Sequence, residues 1–126
     1  MSGGDEAGAL PFPKSFRLAR SGIRDIAPGY GACFASDRIT VDGMKAGFCY
    51  REAPDFEADS GWRFFAGDES QEYTDNEENF GIYSVNTIAN YDPEIIPLQD
   101  APEGAAFARD GDGSFALVPD WKPEPE

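Results

Sequence analysis

The sequence SGWRFFAGDESQEYTDNEENFGIYSVNTIANYDPEIIP, residues 60–97, decides how this chain folds. It opens with the aromatic run WRFFA at positions 62–66, which suits a strand because aromatic side chains fit a pleated, half-buried surface. A run rich in carboxylates follows at positions 67–79, and short apolar segments interrupted by proline complete the stretch. We therefore expect an aromatic strand, then an acidic loop, then short helical pieces.

The helical part of this stretch carries clear start and stop signals. Ser84 is placed to cap a short helix that ends at position 89 or 90. Pro93 sets the boundary, because its ring disfavours a helical residue before it. EIIPL, residues 94–98, adds a brief apolar turn. Residues three and four apart share one face of the predicted helix, and these are Val85, Ile88 and Ala89.

Hairpins are predicted on both sides of the aromatic strand. GACFAS (31–36) and MKAGFCYRE (44–52) have the pattern of strands joined across an Asp42-Gly43 turn. AAFARDGDGSFALV (105–118) has two apolar segments that flank a DGDG turn. The predicted fold class is α+β: an antiparallel sheet of about five strands built from two β-hairpins and a central aromatic strand, with one or two short helices.

At 126 residues the chain has the size of one domain with one modest core. We expect a domain over residues 30–118, an N-terminal arm over residues 1–29 that is loosely ordered or packs on the domain, and a tail over residues 119–126. The N-terminal sequence lacks the basic and apolar regions of a secretory signal, and the apolar runs are too short to span a membrane. These features predict a cytoplasmic protein.

The formal net charge of −14 is unevenly distributed. Residues 1–51 hold five acids and seven bases, whereas residues 52–126 hold nineteen acids and three bases. Such a field repels nucleic-acid phosphates and anionic lipid, and it attracts basic partners. The alternative is that the surplus carboxylates only keep the protein soluble. The charge predicts that neither nucleic acid nor a membrane is a partner.

The chain has no histidine and two cysteines. Without histidine there are no Ser–His or Cys–His nucleophile pairs, and the commonest general base near neutral pH is missing. Hydrolytic chemistry is therefore disfavoured. Cys33 and Cys49 are too few for a disulfide scaffold and are not spaced as a metal knuckle. We expect two buried free thiols on neighbouring strands.

The acids of the loop raise the question of a metal ion or a catalytic carboxylate pair. A calcium loop beginning at Asp68 fails the EF-hand pattern, because Tyr73 stands where the sharp turn needs glycine. Glu69 with Asp92 is a candidate acid–base pair, although so many acids in one loop bring some pair together by chance. We predict no metal, no cofactor, no catalytic residue and a solvated loop with Asp68, Glu69, Glu72, Asp75, Glu77 and Glu78.

Tyrosines and asparagines lie in and after this loop. Both residue types give contact area and adaptable hydrogen bonds, which is typical of interfaces, although singly they also serve as caps, turns and rim-of-core side chains. The predicted partner-binding residues are Asp68, Glu69, Glu72, Tyr73, Asp75, Asn76, Asn79, Asn86, Asn90 and Asp92. Structural roles, including ion pairs for the arginine, are predicted for Trp62, Arg63, Phe64, Phe65, Ile88, Ile95 and Ile96.

Three long segments resemble one bacterial protein family: ACFASDRITVDGMKAGFCYREAPD (32–55), the stretch from DSGWRFF to IIPLQD (59–100), and APEGAAFARDGDGSF (101–115). In this order they are similar to bacterial immunity-protein family thirty-three, formerly a domain of unknown function, over residues 30–118. The resemblance implies a small cytoplasmic protein that protects a bacterium from a polymorphic toxin by binding it. It brings no catalytic residues, and the matching positions are structural or interface candidates: Gly61, Trp62, Arg63, Phe64, Gly67, Asp68, Glu69, Asn79, Phe80, Asn86, Ala89, Asn90 and Asp92.

Three functions stay open at this point, and so does the oligomeric state. The leading hypothesis is a non-enzymatic inhibitor that docks its acidic surface onto the basic active-site region of a toxin. The second is a general interaction or regulatory module with no link to a toxin. The third is a carboxylate-based or metal-assisted enzyme, which the absence of histidine and of a catalytic motif disfavours.

Overall fold

A mixed sheet of six strands forms the centre of the computed structural model, which describes residues 15–18, 22–109, 113–119 and 121. The helices and the largely antiparallel strands give an α+β fold. Two 3-10 turns, Glu77–Asn79 and Pro93–Leu98, accompany the regular elements. In chain order these are β1 (Ala32–Ser36), α1 (Asp37–Thr40), β2 (Phe48–Arg51), β3 (Asp59–Phe65), α2 (Gln71–Asp75), β4 (Phe80–Ser84), α3 (Val85–Tyr91), β5 (Ala106–Ala108) and β6 (Ala116–Leu117).

The strands lie in the order β4–β1–β3–β2–β5–β6, and β1 runs parallel to β3 while the other described pairs are antiparallel. The predicted sheet of five antiparallel strands is therefore wrong in strand number and in one pairing. The first predicted hairpin is absent because β3 lies between β1 and β2. Ser36 explains the difference: its hydroxyl accepts a hydrogen bond from the Arg38 amide at 3.1 Å and begins α1, so the chain leaves the sheet.

The second predicted hairpin corresponds to β5 and β6, in which Phe107 lies opposite Leu117 and Ala108 lies opposite Ala116. Most of the predicted turn, residues 110–112, falls outside the described residues. The additional strand is β4, which pairs with β1 along its whole length. Its sequence FGIYS is short and contains a glycine, which is unfavourable inside a strand, and for this reason its pattern did not predict a strand.

The aromatic strand β3 is central, as predicted, and begins three residues earlier, at Asp59. Two extra residues on β3 form a bulge, because Ala32 lies opposite Asp59 whereas Phe34 lies opposite Arg63. Gly61 lies in this bulge with a φ of +91°, and a Cβ there would stand 2.1 Å from the Glu52 carbonyl oxygen. Only glycine fits this position without moving the backbone.

One face of the sheet carries the hydrophobic core. Trp62 and Phe64 of β3 are fully buried on this face, beneath α1, α3 and the second 3-10 turn. Of the seven residues assigned structural roles, Phe65 and Ile96 are half-buried and the other five are buried. The remaining members of the core are small or aliphatic: Ala27, Cys33, Ala35, Ile39, Ala46, Cys49, Val85, Ile88, Ala89 and Ile95.

Helix α3 confirms the predicted capping signals. The Ser84 hydroxyl accepts a hydrogen bond from the Thr87 amide at 3.0 Å, and the helix ends at Tyr91, one residue beyond the predicted end. Its buried residues are Val85, Ile88 and Ala89, the three that the spacing placed on one face. With seven residues, α3 is the longest helix of the described residues. No helix in this part of the chain is long and apolar enough to cross a membrane.

Candidate functional site

Residues 67–79, called the acidic segment below, form the first part of the candidate site. The segment carries six acids and no base. Its shape is fixed by local hydrogen bonds: the Ser70 hydroxyl accepts from the Tyr73 amide at 3.1 Å, and the Asn76 side-chain oxygen accepts from the Glu78 amide at 3.0 Å. The Asn79 side-chain amide donates to the Tyr73 carbonyl at 2.9 Å. Asn76 and Asn79 therefore shape the segment.

The carboxylates of the acidic segment differ in the hydrogen bonds and ion pairs that they form. Glu69 accepts hydrogen bonds from the amides of Ala66 and Gly67 at 2.8 and 2.9 Å. The hydrogen bonds of the Arg38 guanidinium hold the pKa of the Asp68 carboxyl below its ordinary value. Asp75 accepts from the Gln71 side chain at 2.9 Å. Four exposed acids pair with no cation among the described residues: Glu72, Asp75, Glu77 and Glu78.

Asn86 and Asn90, predicted to bind a partner, bind the protein's own backbone. The Asn86 side-chain oxygen accepts from the amides of Ile26 and Ala27 at 2.8 Å each, and its nitrogen donates to the Arg24 carbonyl at 2.8 Å. Asn90 accepts from the Arg24 amide and donates to the Arg24 carbonyl, both at 2.9 Å. Both side chains fasten residues 24–27 to α3 and do not join the acidic segment.

Asp92 is also separate from the acidic segment. Its side chain is fully buried, forms an ion pair with Arg109, and accepts a hydrogen bond from the Ala46 amide at 3.0 Å. It also caps the second 3-10 turn by accepting from the Glu94 amide at 3.2 Å. A partner or substrate has no access to such a carboxylate, so Asp92 is unsuited both to the predicted interface and to an acid–base pair with Glu69.

The face of the sheet opposite the core forms a second candidate surface, the aromatic face, and the sequence pattern did not predict it as a site. The rings of Tyr50 and Phe65 stack with centroids 5.9 Å apart, and Trp121 lies 4.5 Å from Tyr50. Six of its side chains are half-buried and Ile82 is 60% exposed, so the face is neither a closed core nor a polar surface. Besides Trp121, its residues are Phe34, Phe48, Tyr50, Phe65, Phe80 and Ile82.

An arginine with three carboxylates lies beneath one end of the aromatic face. Arg63 is 3% exposed, and its two terminal nitrogens donate to the two Asp59 carboxylate oxygens at 2.9 and 2.8 Å. Glu52 accepts from its Nε at 2.6 Å, and Asp55 lies 3.6 Å away. The guanidinium also stacks 4.1 Å above the Phe34 ring. This arrangement confirms the ion pairs predicted for Arg63.

The charges of this cluster stabilise one another. The hydrogen bonds from Arg63 lower the pKa of the Asp59 carboxyl to about 2, although burial by itself raises it. Burial by itself lowers the pKa of the Arg63 guanidinium, but the bonds to Asp59 and Glu52 leave that pKa above its ordinary value. The pair is therefore fully charged at neutral pH, and three carboxylates surround one cation.

A groove of about 360 Å³ opens where the acidic segment meets the aromatic face. Phe34, Phe80 and Ile82 supply its apolar walls. Thr74 and Glu77 line it from the acidic segment, with Gly81 completing the lining. The groove lies beside β4, which is an edge strand of the sheet. It joins the two candidate surfaces into one site.

The described residues offer little for catalysis. Both cysteines are buried and free, as predicted, although their strands β1 and β2 are not neighbours. Burial raises the pKa of the Cys49 thiol to about 12 and that of the Cys33 thiol further, so neither forms a nucleophilic thiolate at neutral pH. Within the described part of the chain, no three Cys, Asp or Glu side chains converge as a metal site.

Alternation along the strands is the signal that identifies the aromatic face. Successive side chains of a strand point to opposite faces, so the buried Cys49 places its neighbours Phe48 and Tyr50 on the aromatic face, and the buried Phe64 does the same for Arg63 and Phe65. The pattern is visible in the sequence. The sequence does not reveal which face the helices cover. Because aromatic residues lie on both faces of the strands, all of them have the pattern expected of core residues.

Comparison with known proteins adds the family. The sequence profile of the Immunity protein Imm33 domain matches residues 33–118, which is most of the chain. Comparisons with curated proteins and with solved structures gave no match. The profile covers β1 from its second residue, the other five strands, the acidic segment and the groove. The chain therefore belongs to the Immunity protein Imm33 domain family.

Proposed function

We propose that this protein neutralises a cognate bacterial toxin in the cytoplasm by binding it, without catalysis, and that it belongs to a polymorphic toxin system. The family supports an immunity role and a protein partner. The observation that favours a particular surface is the acidic segment, which carries six acids of which only Asp68 pairs with a cation among the described residues. We propose that this segment faces a basic surface of the toxin.

Charge and shape have different tasks in such a complex. Unpaired exposed carboxylates attract a basic partner over long distances and raise its association rate, an effect that salt screens. Partly buried aromatic side chains then hold the complex, because large rings that become fully desolvated dominate interface energies. The acidic segment and the aromatic face adjoin at the groove, so one partner can contact both at once.

The test begins with the tagged protein in the source bacterium, where its bound partner is captured and identified by mass spectrometry. Co-expression of the partner's toxin domain with and without this protein then measures protection. We expect protection, and we expect the triple variant Glu72→Gln, Glu77→Gln, Glu78→Gln to slow association by about tenfold at low salt while folding normally.

A matched triple variant controls for net charge. Asp25→Asn, Asp100→Asn and Glu103→Gln remove three exposed acids outside the acidic segment, and we expect them to leave the association rate nearly unchanged. Equal slowing by both triple variants would mean that overall charge alone attracts the partner. A captured partner that is not a toxin, together with no protection in co-expression, would disprove the proposed function and favour a general interaction module.

A further inference from the structure

We infer that the groove between the acidic segment and the aromatic face receives an arginine side chain of the partner protein. The inference rests on the proposed function, which it makes more specific by naming the groove as the contact and a guanidinium as the group bound. It is supported by a combination of phenylalanine ring and carboxylates that binds arginine twice among the described residues, and the groove has such a ring and one exposed carboxylate.

The first internal example is Arg63. Its guanidinium stacks 4.1 Å from the Phe34 ring while carboxylates bind its edge, the closest at 2.6 Å from Glu52. The flat cation thus has an aromatic ring against one surface and anionic acceptors around its rim. This combination is favourable because the ring quadrupole attracts the cation and the planar donors match the carboxylate oxygens.

The second internal example is Arg109. Its guanidinium lies 4.3 Å from the Phe115 ring. Its nitrogens form ion pairs with Asp92 and with Glu94, the latter at 3.0 Å. The two examples lie in different parts of the sheet, and both combine a phenylalanine ring, at least one buried carboxylate and one more exposed carboxylate. The same chemistry therefore holds arginine in two independent places of this fold.

The groove offers phenylalanine rings and one exposed carboxylate, and no arginine of the described residues lines it. Phe80 presents aromatic surface, Ile82 gives an apolar wall for the methylene stem, and Glu77 supplies a carboxylate. Phe34 also lines the groove, and its ring is already in contact with Arg63 and Phe56. Glu77 forms no ion pair among the described residues. Because Arg63 is already surrounded by three carboxylates, it does not repel a second cation from this end of the sheet.

Other occupants fit less well. A purely apolar side chain would cover Glu77 and leave a desolvated, unpaired charge, which is unfavourable. A metal ion would find a single carboxylate where several oxygens are needed. A phosphate would be repelled by the surrounding acids. Lysine matches the charge, but its compact ammonium lacks the flat surface that stacks on Phe80.

The test uses the full chain and three short peptides. Acetyl-Gly-Arg-Gly-amide, its lysine analogue and its citrulline analogue are titrated to millimolar concentration while amide chemical shifts are recorded by NMR. We expect the arginine peptide to shift the amides of Thr74, Glu77, Gly81 and Ile82, the lysine peptide to shift them less, and the uncharged citrulline peptide to shift them least.

Two variants sharpen the result. Glu77→Gln keeps the shape of the wall and removes its charge, and we expect it to weaken binding of the arginine peptide by about tenfold. Ile82→Lys places a cation at the groove, and we expect it to abolish the shifts. Leu117→Lys is the matched control, because Leu117 is 59% exposed on β6, the opposite edge strand, and Ile82 is 60% exposed on β4.

The outcomes separate this inference from the proposed function. Arginine-dependent shifts confined to the groove support the inference even if no toxin is captured. Shifts of equal size with citrulline, shifts elsewhere on the protein, or no shifts would overturn it. If a toxin is captured and its affinity is unchanged by Glu77→Gln and Ile82→Lys, the proposed function stands and the groove is not the contact.

Discussion

The two faces of the central sheet are built from alternate residues of the same strands, yet they differ in burial. Phe64 and Phe65 are neighbours in β3, but Phe64 is fully buried beneath the helices whereas Phe65 is half-buried on the aromatic face. The covered face consists of tightly packed small and aliphatic side chains around two aromatic rings. The helices, more than residue type, therefore decide whether an aromatic side chain is fully or only half buried.

The largest expected effect tests this comparison directly. Phe64→Ala removes a fully buried ring from the core, and we expect it to lower the free energy of unfolding by about 4 kcal/mol. Phe65→Ala removes the neighbouring ring from the aromatic face, and we expect a loss of about 1–2 kcal/mol, because its ring is already partly hydrated in the folded state. Urea unfolding followed by circular dichroism measures both values, and equal losses would contradict the difference between the faces.

The buried charge cluster beneath the aromatic face should give the next largest effect. Asp59→Asn leaves Arg63 without its fully buried partner, and we expect a loss of about 3 kcal/mol at neutral pH. Unfolding in urea at a series of pH values measures this loss and its pH dependence.

The direction of that pH dependence follows from the pKa of Asp59. Because Arg63 lowers this pKa from 3.8 to about 2, the stabilisation is fully present above pH 4 and is lost as the pH falls towards 2. The native protein should lose about 2 kcal/mol over this range from Asp59, and Asp59→Asn should lack this component. Asp68→Asn, at an exposed ion pair with Arg38, is the control and should change stability by less than about 1 kcal/mol. If the free energy of unfolding fell equally between pH 4 and pH 2 in Asp59→Asn and in the native protein, ionisation of Asp59 would not contribute to stability.

The smallest expected effect concerns the segment that α3 holds against the covered side of the sheet. Asn86→Ala removes the acceptor for the amides of Ile26 and Ala27, so we expect faster hydrogen exchange at these two amides and a loss of about 1 kcal/mol. Asn86→Asp retains an acceptor and removes only the bond to the Arg24 carbonyl. It should therefore protect the two amides better than Asn86→Ala, and equal exchange in both variants would contradict this role.

Local signals in the sequence predicted the elements that depend on near neighbours. Ser84 and Pro93 define α3 through contacts within a few residues, and both ends of the helix lie close to the predicted positions. The aromatic run predicted the central strand β3. The surplus of carboxylates around Arg63 predicted its ion pairs, because a single cation among ten acids has carboxylates nearby in most folds.

Pairings between distant residues escaped prediction. β1 and β2 have the pattern of a hairpin, but β3 displaces β2 from β1 because its fully buried aromatic residues require a central position. Asn86 was assigned to an interface because of its residue type. Its actual hydrogen-bond partners could not be predicted because they lie about 60 residues earlier in the chain. Asp92 followed the acidic run in the sequence, and only Arg109, beyond the next turn, makes it a buried structural carboxylate.

Four features could be predicted from residue order and composition: the immunity family, the α+β class, the capped helix α3 and the acidic character of residues 67–79. These follow from residue order, local hydrogen bonding and composition, which act over short distances along the chain. Three other features became visible only in the folded protein: the parallel pairing of β1 with β3, the aromatic face and the groove at Glu77. The reason is that strand partners and the exposed face depend on which distant elements cover the sheet, and alternation within a strand is the same whichever face is covered.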